Sequence, residues 1–283
     1  MRKLLPAVLV VSIVLVLILA RGAIPPPPPA ALGAIGHGPT VVLLHGLGSN
    51  AEHWLPMARD LARDHRVVFV ELPGHGEARM PAPLTLEEAA LQLDRAIAEQ
   101  GDAPVVLVGH SVGGLVAAAE ALHAPQRVRA LVLVESALRP QIGPDDLDAL
   151  MRSLEQDYAG TLHEHYVSFG RDSAQGERLF AEAMRVEPSV VKAWIRLAST
   201  TDLSGAVARL RVPTLVVLGE RSWPEGERWT SCADTLGYGK APGVTPMRMS
   251  GVGHFLMLDR PHDLADAIRR FTRTGPSAAV AMR

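Results

Sequence analysis

Cysteine is almost missing from this chain. Cys232 is the single one in 283 residues, which excludes an intrachain disulfide framework and any metal site built from cysteines. An excess of charge is missing too. Twenty-eight Lys and Arg stand against 30 Asp and Glu, a formal net charge of −2, and no long run of one sign breaks the balance. That balance argues against nucleic acid as a partner. Among the 11 histidines no pair has metal-ligand spacing in a supporting context, so no metal is expected. There is no internal repeat, and low complexity is confined to one proline run. What the chain does have is apolar residues, 48% of the total. That is enough to bury a large core, in one α/β domain with an insertion or in two small domains.

Long apolar runs are scarce, with one exception at the N-terminus. Arg2 and Lys3 precede Leu4 to Ala20, a run without charge that is interrupted only by Pro6 and Ser12. As a helix it spans about 26 Å, slightly short of a hydrocarbon core of about 30 Å. It is long for the apolar part of a signal peptide, and its small-residue cleavage site, Ala20-Arg21-Gly22, carries an arginine. Residues 1–22 are therefore read as a membrane anchor, with a cleaved signal peptide as the alternative. Either way the positive flank stays in the cytoplasm, and the rest of the chain is expected on the extracytoplasmic side. The five prolines Pro25 to Pro29 can be neither helix nor central strand. Residues 23–35 read as a proline-rich linker, and the folded domain is expected to begin near Gly36.

The chemistry is concentrated in Val105 to Leu122, VVLVGHSVGGLVAAAEAL. Four apolar residues read as a buried strand, and the Ala-rich run from Leu115 reads as a helix. Between them, Gly109-His110-Ser111-Val112-Gly113 matches G-x-S-x-G, which holds a serine on a strained turn clear of the sheet edge. Backbone segments approach closely two residues before and two after the serine. Both places want no Cβ, and both are glycine. The helix start behind Ser111 supplies free N–H groups and a positive dipole end, which suit an oxyanion.

Strands and helices alternate along the rest of the chain, predicting a mostly parallel sheet with helices on both faces. Strands are expected at Thr40–Leu44, Arg66–Glu71, Val128–Glu135, Leu210–Leu218 and Thr245–Met249. Helices are expected at Glu52–Asp64, at Leu86–Gln100 behind a Thr85/Glu88 capping box, and at Pro261–Thr272. Between Ser136 and about Ala208 the pattern changes to helices alone, roughly Asp145–Tyr158, Thr161–Phe169, Gly176–Val186 and Ser189–Thr200.

From about Gly36 to Arg273 the chain resembles the α/β-hydrolase family. Three motifs carry the resemblance, in the family's order around the serine turn: His45-Gly46-Leu47-Gly48, Glu71-Leu72-Pro73-Gly74-His75-Gly76, and Gly251-Val252-Gly253-His254-Phe255. It implies an α/β-hydrolase fold over 36–275, a helical cap inserted at about 137–208 before the penultimate strand, and a tail at 276–283. It also implies backbone oxyanion donors at Leu47 and Val112, and no cofactor. A serine is a poor nucleophile until an imidazole accepts its proton, and only His254 lies where the family's order requires it, after the last expected strand and before the last helix. His75 reads as a turn residue, and the side chain of His110 is expected to diverge from the site. His37, His53, His65 and His123 read as solvated histidines without a role, and His163 and His165 as surface positions in the cap.

The acid departs from the family. Its usual place, after the strand ending Leu218-Gly219, holds Ser222, so the carboxylate has moved or the triad is incomplete. Glu135, at the end of the strand beside the nucleophile strand, is the favoured acid. Glu220 is the rival, and Glu225 a more distant candidate. A purely structural Glu135 would instead cap the first turn of the cap with Arg139 as partner. Trp194, Phe169, Tyr166, Met184 and Leu197 are candidates for an apolar pocket, whereas Trp54 reads as a staple of the first helix. The expected activity is hydrolysis of a small carboxylic ester or thioester through an acyl-enzyme. Cleavage of C–C bonds, amides or peroxyacids by the same residues is the alternative, and a non-catalytic membrane-tethered binding protein is the alternative of another class. Oligomeric state is not legible.

Overall fold

In the computed structural model, residues 31–274 are described, and they form one seven-stranded sheet in the order β1-β3-β2-β4-β5-β6-β7. The strands are β1 (Ala31–Ile35), β2 (Thr40–Leu44), β3 (Arg66–Val70), β4 (Val105–His110), β5 (Val128–Val134), β6 (Thr214–Leu218) and β7 (Val244–Arg248). Every pairing is parallel except β1 with β3. All residues of β4 and β6 are buried, as expected of parallel strands covered on both faces. Alternation along the strands then sorts the core into two layers. Val42, Leu44, Val105 and Leu107 face one side, where helices α2 (Leu86–Ala98) and α3 (Val112–His123) cover them. Val41, Leu43, Val106 and Val108 face the other, against α1 (Leu55–Leu61) and the closing helix.

The cap consists of α4 (Pro144–Gln156), α5 (Tyr158–Phe169), α6 (Ser173–Ala183) and α7 (Pro188–Thr200). Proline in the first turn starts α4 and α7 at a position whose N–H would have no intrahelical acceptor, so no hydrogen bond is lost. Trp194 of α7 is fully buried, and its indole N–H donates to the Pro73 carbonyl at 2.9 Å, seating the cap on the loop after β3. After β6 come α8 (Trp229–Leu236), β7, α9 (Leu256–Asp259) and α10 (Pro261–Thr274).

Three differences from the sequence reading concern boundaries. Ala31–Ile35, assigned to the linker with the domain expected near Gly36, is part of the sheet: it pairs antiparallel with β3 and covers its free edge. The first helix is shorter than expected: a 3-10 turn at Ala51–Trp54 leads into α1, with Pro56 in its first turn. The eight-residue α8 was not expected at all. Thr85 does cap α2, accepting the Glu88 N–H at 3.1 Å. The anchor, the prolines and the tail lie outside the described residues. Among the described residues no helix is long and apolar enough to cross a membrane.

The sheet order reverses between β2 and β4, the chain running outward to β3 on one side and to β5, β6 and β7 on the other. Crevices in parallel sheets open beyond the carboxyl ends of the strands at such a switch point. His45-Gly46-Leu47 leaves β2 there, and Ser111 leaves β4 beside it.

Candidate active site

Ser111 has φ 52° and ψ −123°, a conformation that non-glycine residues rarely adopt and that costs of order 1–3 kcal/mol. The turn is forced by its neighbours. A Cβ on Gly109 would come within 2.6 Å of both the Gly113 carbonyl oxygen and the Gly114 Cα. Ser111 N–H donates to Val134 C=O at 2.9 Å, and the Ser111 carbonyl accepts from Ser136 Oγ–H at 2.7 Å, so the end of β5 and the loop after it hold the turn from both ends. Tyr238 in turn donates to the Ser136 carbonyl at 2.6 Å. Among the described residues the only other non-glycine with positive φ is Glu135, at 48°. Strain of this kind persists where surrounding structure imposes it, and it clusters at functional sites.

Glu135 directly follows β5, with a side chain 1% exposed. Its Oε1 accepts the Gly219 N–H at 2.5 Å, and its Oε2 accepts from Ser222 Oγ–H at 2.8 Å and from His254 Nδ1–H at 3.1 Å. Three donors on one buried carboxylate offset the loss of its hydration. Ser222, in the place where the resemblance puts the acid, is therefore a partner of Glu135. Glu220, the rival, points elsewhere. Half exposed, it receives Arg248 at 3.5 Å and the Gly251 N–H at 3.3 Å. Glu225 is exposed. Arg139, the partner foreseen for a purely structural Glu135, instead lines the cavity, and all of the carboxylate's hydrogen bonds go to other groups.

The His254 ring is held on three sides. The backbone N–H of His254 donates to Phe169 C=O at 2.8 Å, the Phe169 ring lies 4.8 Å from the imidazole at 30°, and the His110 ring lies 4.8 Å from it at 52°. The side chain of His110 was expected to diverge from the site. It turns under the elbow and donates from Nε2 to the His254 carbonyl at 2.9 Å, joining the two loops. No pattern in the sequence signals that contact. Burial, followed by the charge of neighbouring His254, holds His110 well below the usual histidine range, so it stays neutral.

Ser111, Glu135, Ser222 and His254 line one cavity of about 560 Å³ between sheet and cap, with Leu47 and Val112 in its wall. Val112 opens α3, where a helix leaves its N–H groups without intrahelical acceptors. Leu47 sits in a turn closed by Ser49 N–H on Gly46 C=O at 3.2 Å. Of the pocket candidates, Phe169 and Tyr166 line the cavity. Trp194 does not, being buried against Pro73, and Met184 faces outward at 39% exposure. Leu197 packs into the core on the α3 side. His165 reaches the rim, and His163 pairs with Glu177 at 2.9 Å on the surface. Trp54 is buried and edge-on to His110. His53 and His65 are buried rather than solvated, each beside a carboxylate. Among the described residues no three His, Cys, Asp or Glu side chains gather to hold a metal ion.

The family model described as "Alpha/beta hydrolase family" matches residues 41–267. The chain is 30% identical over 261 residues to a pimeloyl-[acyl-carrier protein] methyl ester esterase of Xanthomonas oryzae pv. oryzae, covering 87% of this chain and 99% of that protein. Among solved structures it is similar to a thermophilic esterase from Thermogutta terrifontis, with TM-score 0.72 and 25% identity over 85% of this chain and 92% of the other. It also matches a hydrolase from Oleispira antarctica in fold, with TM-score 0.76 and 17% identity over 86% and 94% of the two chains. The sheet order, the strained serine turn and the extent of these matches lead to one conclusion: the chain belongs to the α/β-hydrolase family.

Proposed function

We propose that the protein is a serine hydrolase that cleaves a carboxylic ester, or a thioester, through an acyl-enzyme. The observation that carries this reading is the bond from His254 Nδ1–H to the buried Glu135 carboxylate, in the wall of the cavity that also holds Ser111. With Nδ1 engaged, Nε2 is the nitrogen left to take the serine proton. Ser111 Oγ attacks the ester carbonyl as His254 accepts its proton, and Glu135 stabilises the imidazolium that results. The N–H groups of Leu47 and Val112 hold the oxyanion. Collapse of the tetrahedral intermediate breaks the C–O bond, and His254 returns the proton to the leaving alcohol. Water, activated by the same imidazole, then releases the acid and restores Ser111.

A cavity of about 560 Å³ is of a size that takes a small acyl or alcohol group. The carrier-bound methyl ester in the Xanthomonas relative's name is one such ester. The Glu135 contact favours this over a non-catalytic reading, which rested on Ser222 standing where an acid was expected. A series of p-nitrophenyl esters from acetate to palmitate tests the proposal: turnover that peaks at a short or medium chain supports it, and the absence of turnover on every ester counts against it.

The domain is, on this proposal, held at a membrane by residues 4–20 with the active site on the extracytoplasmic side, a reading supported by the uncharged run behind Arg2 and Lys3. Full-length protein should pellet with carbonate-washed membranes. A mature N-terminus near Ala23 would show cleavage instead.

A further inference from the structure

The turn that carries Leu47 is tied to parts of the chain distant in sequence. Gly48 stands at its third position with φ +66°, which makes it a type II turn, the form that needs glycine there. Type I and type II turns differ by a flip of their central peptide, here Leu47–Gly48. Both polar groups of that peptide are held by side chains. Its carbonyl accepts the Tyr166 hydroxyl of cap helix α5 at 2.7 Å, and its N–H donates to His75 Nε2, in the loop after β3, at 3.0 Å. Tyr166 and His75 are 4% and 1% exposed, so water does not substitute for either. Burial lowers the His75 pKa to about 4, which keeps Nε2 an acceptor at neutral pH.

Two further contacts press the cap on the same turn. Ser49 Oγ and His53 Nδ1 are 2.6 Å apart, and His53 Nε2 meets the Glu182 carboxylate of α6. A Cβ on Gly48 would come within 2.8 Å of the Ala183 Cβ, also on α6.

We propose that Tyr166 and His75 are positioning residues of the oxyanion hole: by gripping the Leu47–Gly48 peptide from the cap and from the β3 loop, they fix the turn and with it the place of the adjoining Gly46–Leu47 peptide, which carries the Leu47 N–H, and make the seated cap part of the catalytic apparatus. The inference rests on the serine-hydrolase reading. Deleting an oxyanion donor outright costs about 10²–10³ in kcat, and misaiming one costs less, about tenfold.

The test is Tyr166→Phe in the full chain, with kcat and KM measured on a p-nitrophenyl ester and Ki on a trifluoromethyl ketone, whose hemiketal oxyanion occupies the hole. The expected result is a loss of about tenfold in kcat with KM within about twofold, and a matching rise in Ki. His75→Leu should lower kcat and raise Ki in the same way. His75→Gln, whose amide oxygen can accept where Nε2 did, should restore them. Wild-type kcat and Ki in Tyr166→Phe overturn the proposal, as does a change confined to KM, which would make Tyr166 a wall of the pocket only. If His75→Leu does not fold, Tyr166→Phe decides alone. Ser111→Ala separates the two levels: an active Ser111→Ala defeats the serine-hydrolase reading itself, whereas an inactive one beside a normal Tyr166→Phe defeats only the positioning role.

Discussion

Replacing Glu135 by glutamine keeps its volume and removes its charge. In the native site the carboxylate accepts from three donors, Gly219 N–H, Ser222 Oγ–H and His254 Nδ1–H. An amide has one oxygen and one NH2 group, so at least one former acceptor position now presents a donor. With the oxygen held by the Gly219 N–H at 2.5 Å, the NH2 group faces Ser222 and His254. Ser222 adapts, because a hydroxyl can accept. His254 must then put its proton on Nε2, the nitrogen that has to receive the serine proton, and the imidazolium loses its counter-charge. Loss of the triad carboxylate by amide substitution costs about 10⁴ in kcat where it has been dissected. The Phe169 and His110 rings still flank the imidazole, so a loss of about 10³ in kcat/KM is expected, or about 4 kcal/mol at ~1.36 kcal/mol per factor of ten. Glu220→Gln should lose less than about tenfold, since that side chain is half exposed beside Arg248. Because Ser222 Oγ lies 2.8 Å from Glu135 Oε2, the Glu135→Gln, Ser222→Asp double variant returns a carboxylate to the same neighbourhood. It should recover at least about tenfold of the loss. Steady-state kinetics on one aryl ester checks all three. A near-normal Glu135→Gln beside a crippled Glu220→Gln would refute the assignment of the acid.

Two further outcomes follow from the packing. Burial beside Asp94 pushes Glu120 up to about 8, so the folded protein keeps a proton that the unfolded chain releases above about 4.5. Stability should therefore fall as pH rises from about 4.5 to 8, and Glu120→Gln should flatten that slope; thermal melts at pH 5, 7 and 9 decide it, and parallel slopes would count against it. Gly109→Ala drives a methyl group to 2.6 Å from the backbone of Gly113 and Gly114. It should reduce activity at least about 10²-fold even where soluble protein is recovered, since a misplacement of about 1 Å in a site can cost that much.

Most of the fold was legible because its signals are local. Buried parallel strands read as apolar β-branched runs, and the cap stood out as helix without strand. Ser111 was legible because the turn admits only glycine at 109 and 113, and His254 because chain order leaves no other histidine in its place. Glu135 rested on the resemblance, and the positive φ that aims it leaves no mark in the sequence. The rest depends on long-range contacts. β1 is Ala-Leu-Gly-Ala-Ile after a proline run, a weak strand sequence that pairs because β3 offers an edge. Ser222 as donor to Glu135, His110 under His254, and Tyr166 and His75 on one peptide join residues 27 to 144 positions apart, which no periodicity encodes.

The central claim is that Ser111 is the nucleophile of an ester hydrolase. Its most direct measurement is intact-mass and peptide analysis of the full-length protein after exposure to a fluorophosphonate, run beside ester turnover for wild type and Ser111→Ala. The account predicts one phosphonyl group per chain, on the peptide containing Ser111, with loss of turnover in proportion to labelling. It predicts neither label nor more than about 0.1% of the turnover in Ser111→Ala, on the scale of triad deletions. Stoichiometric label on another residue, or an alanine variant that still hydrolyses the ester at more than about a tenth of the wild-type rate, would contradict it.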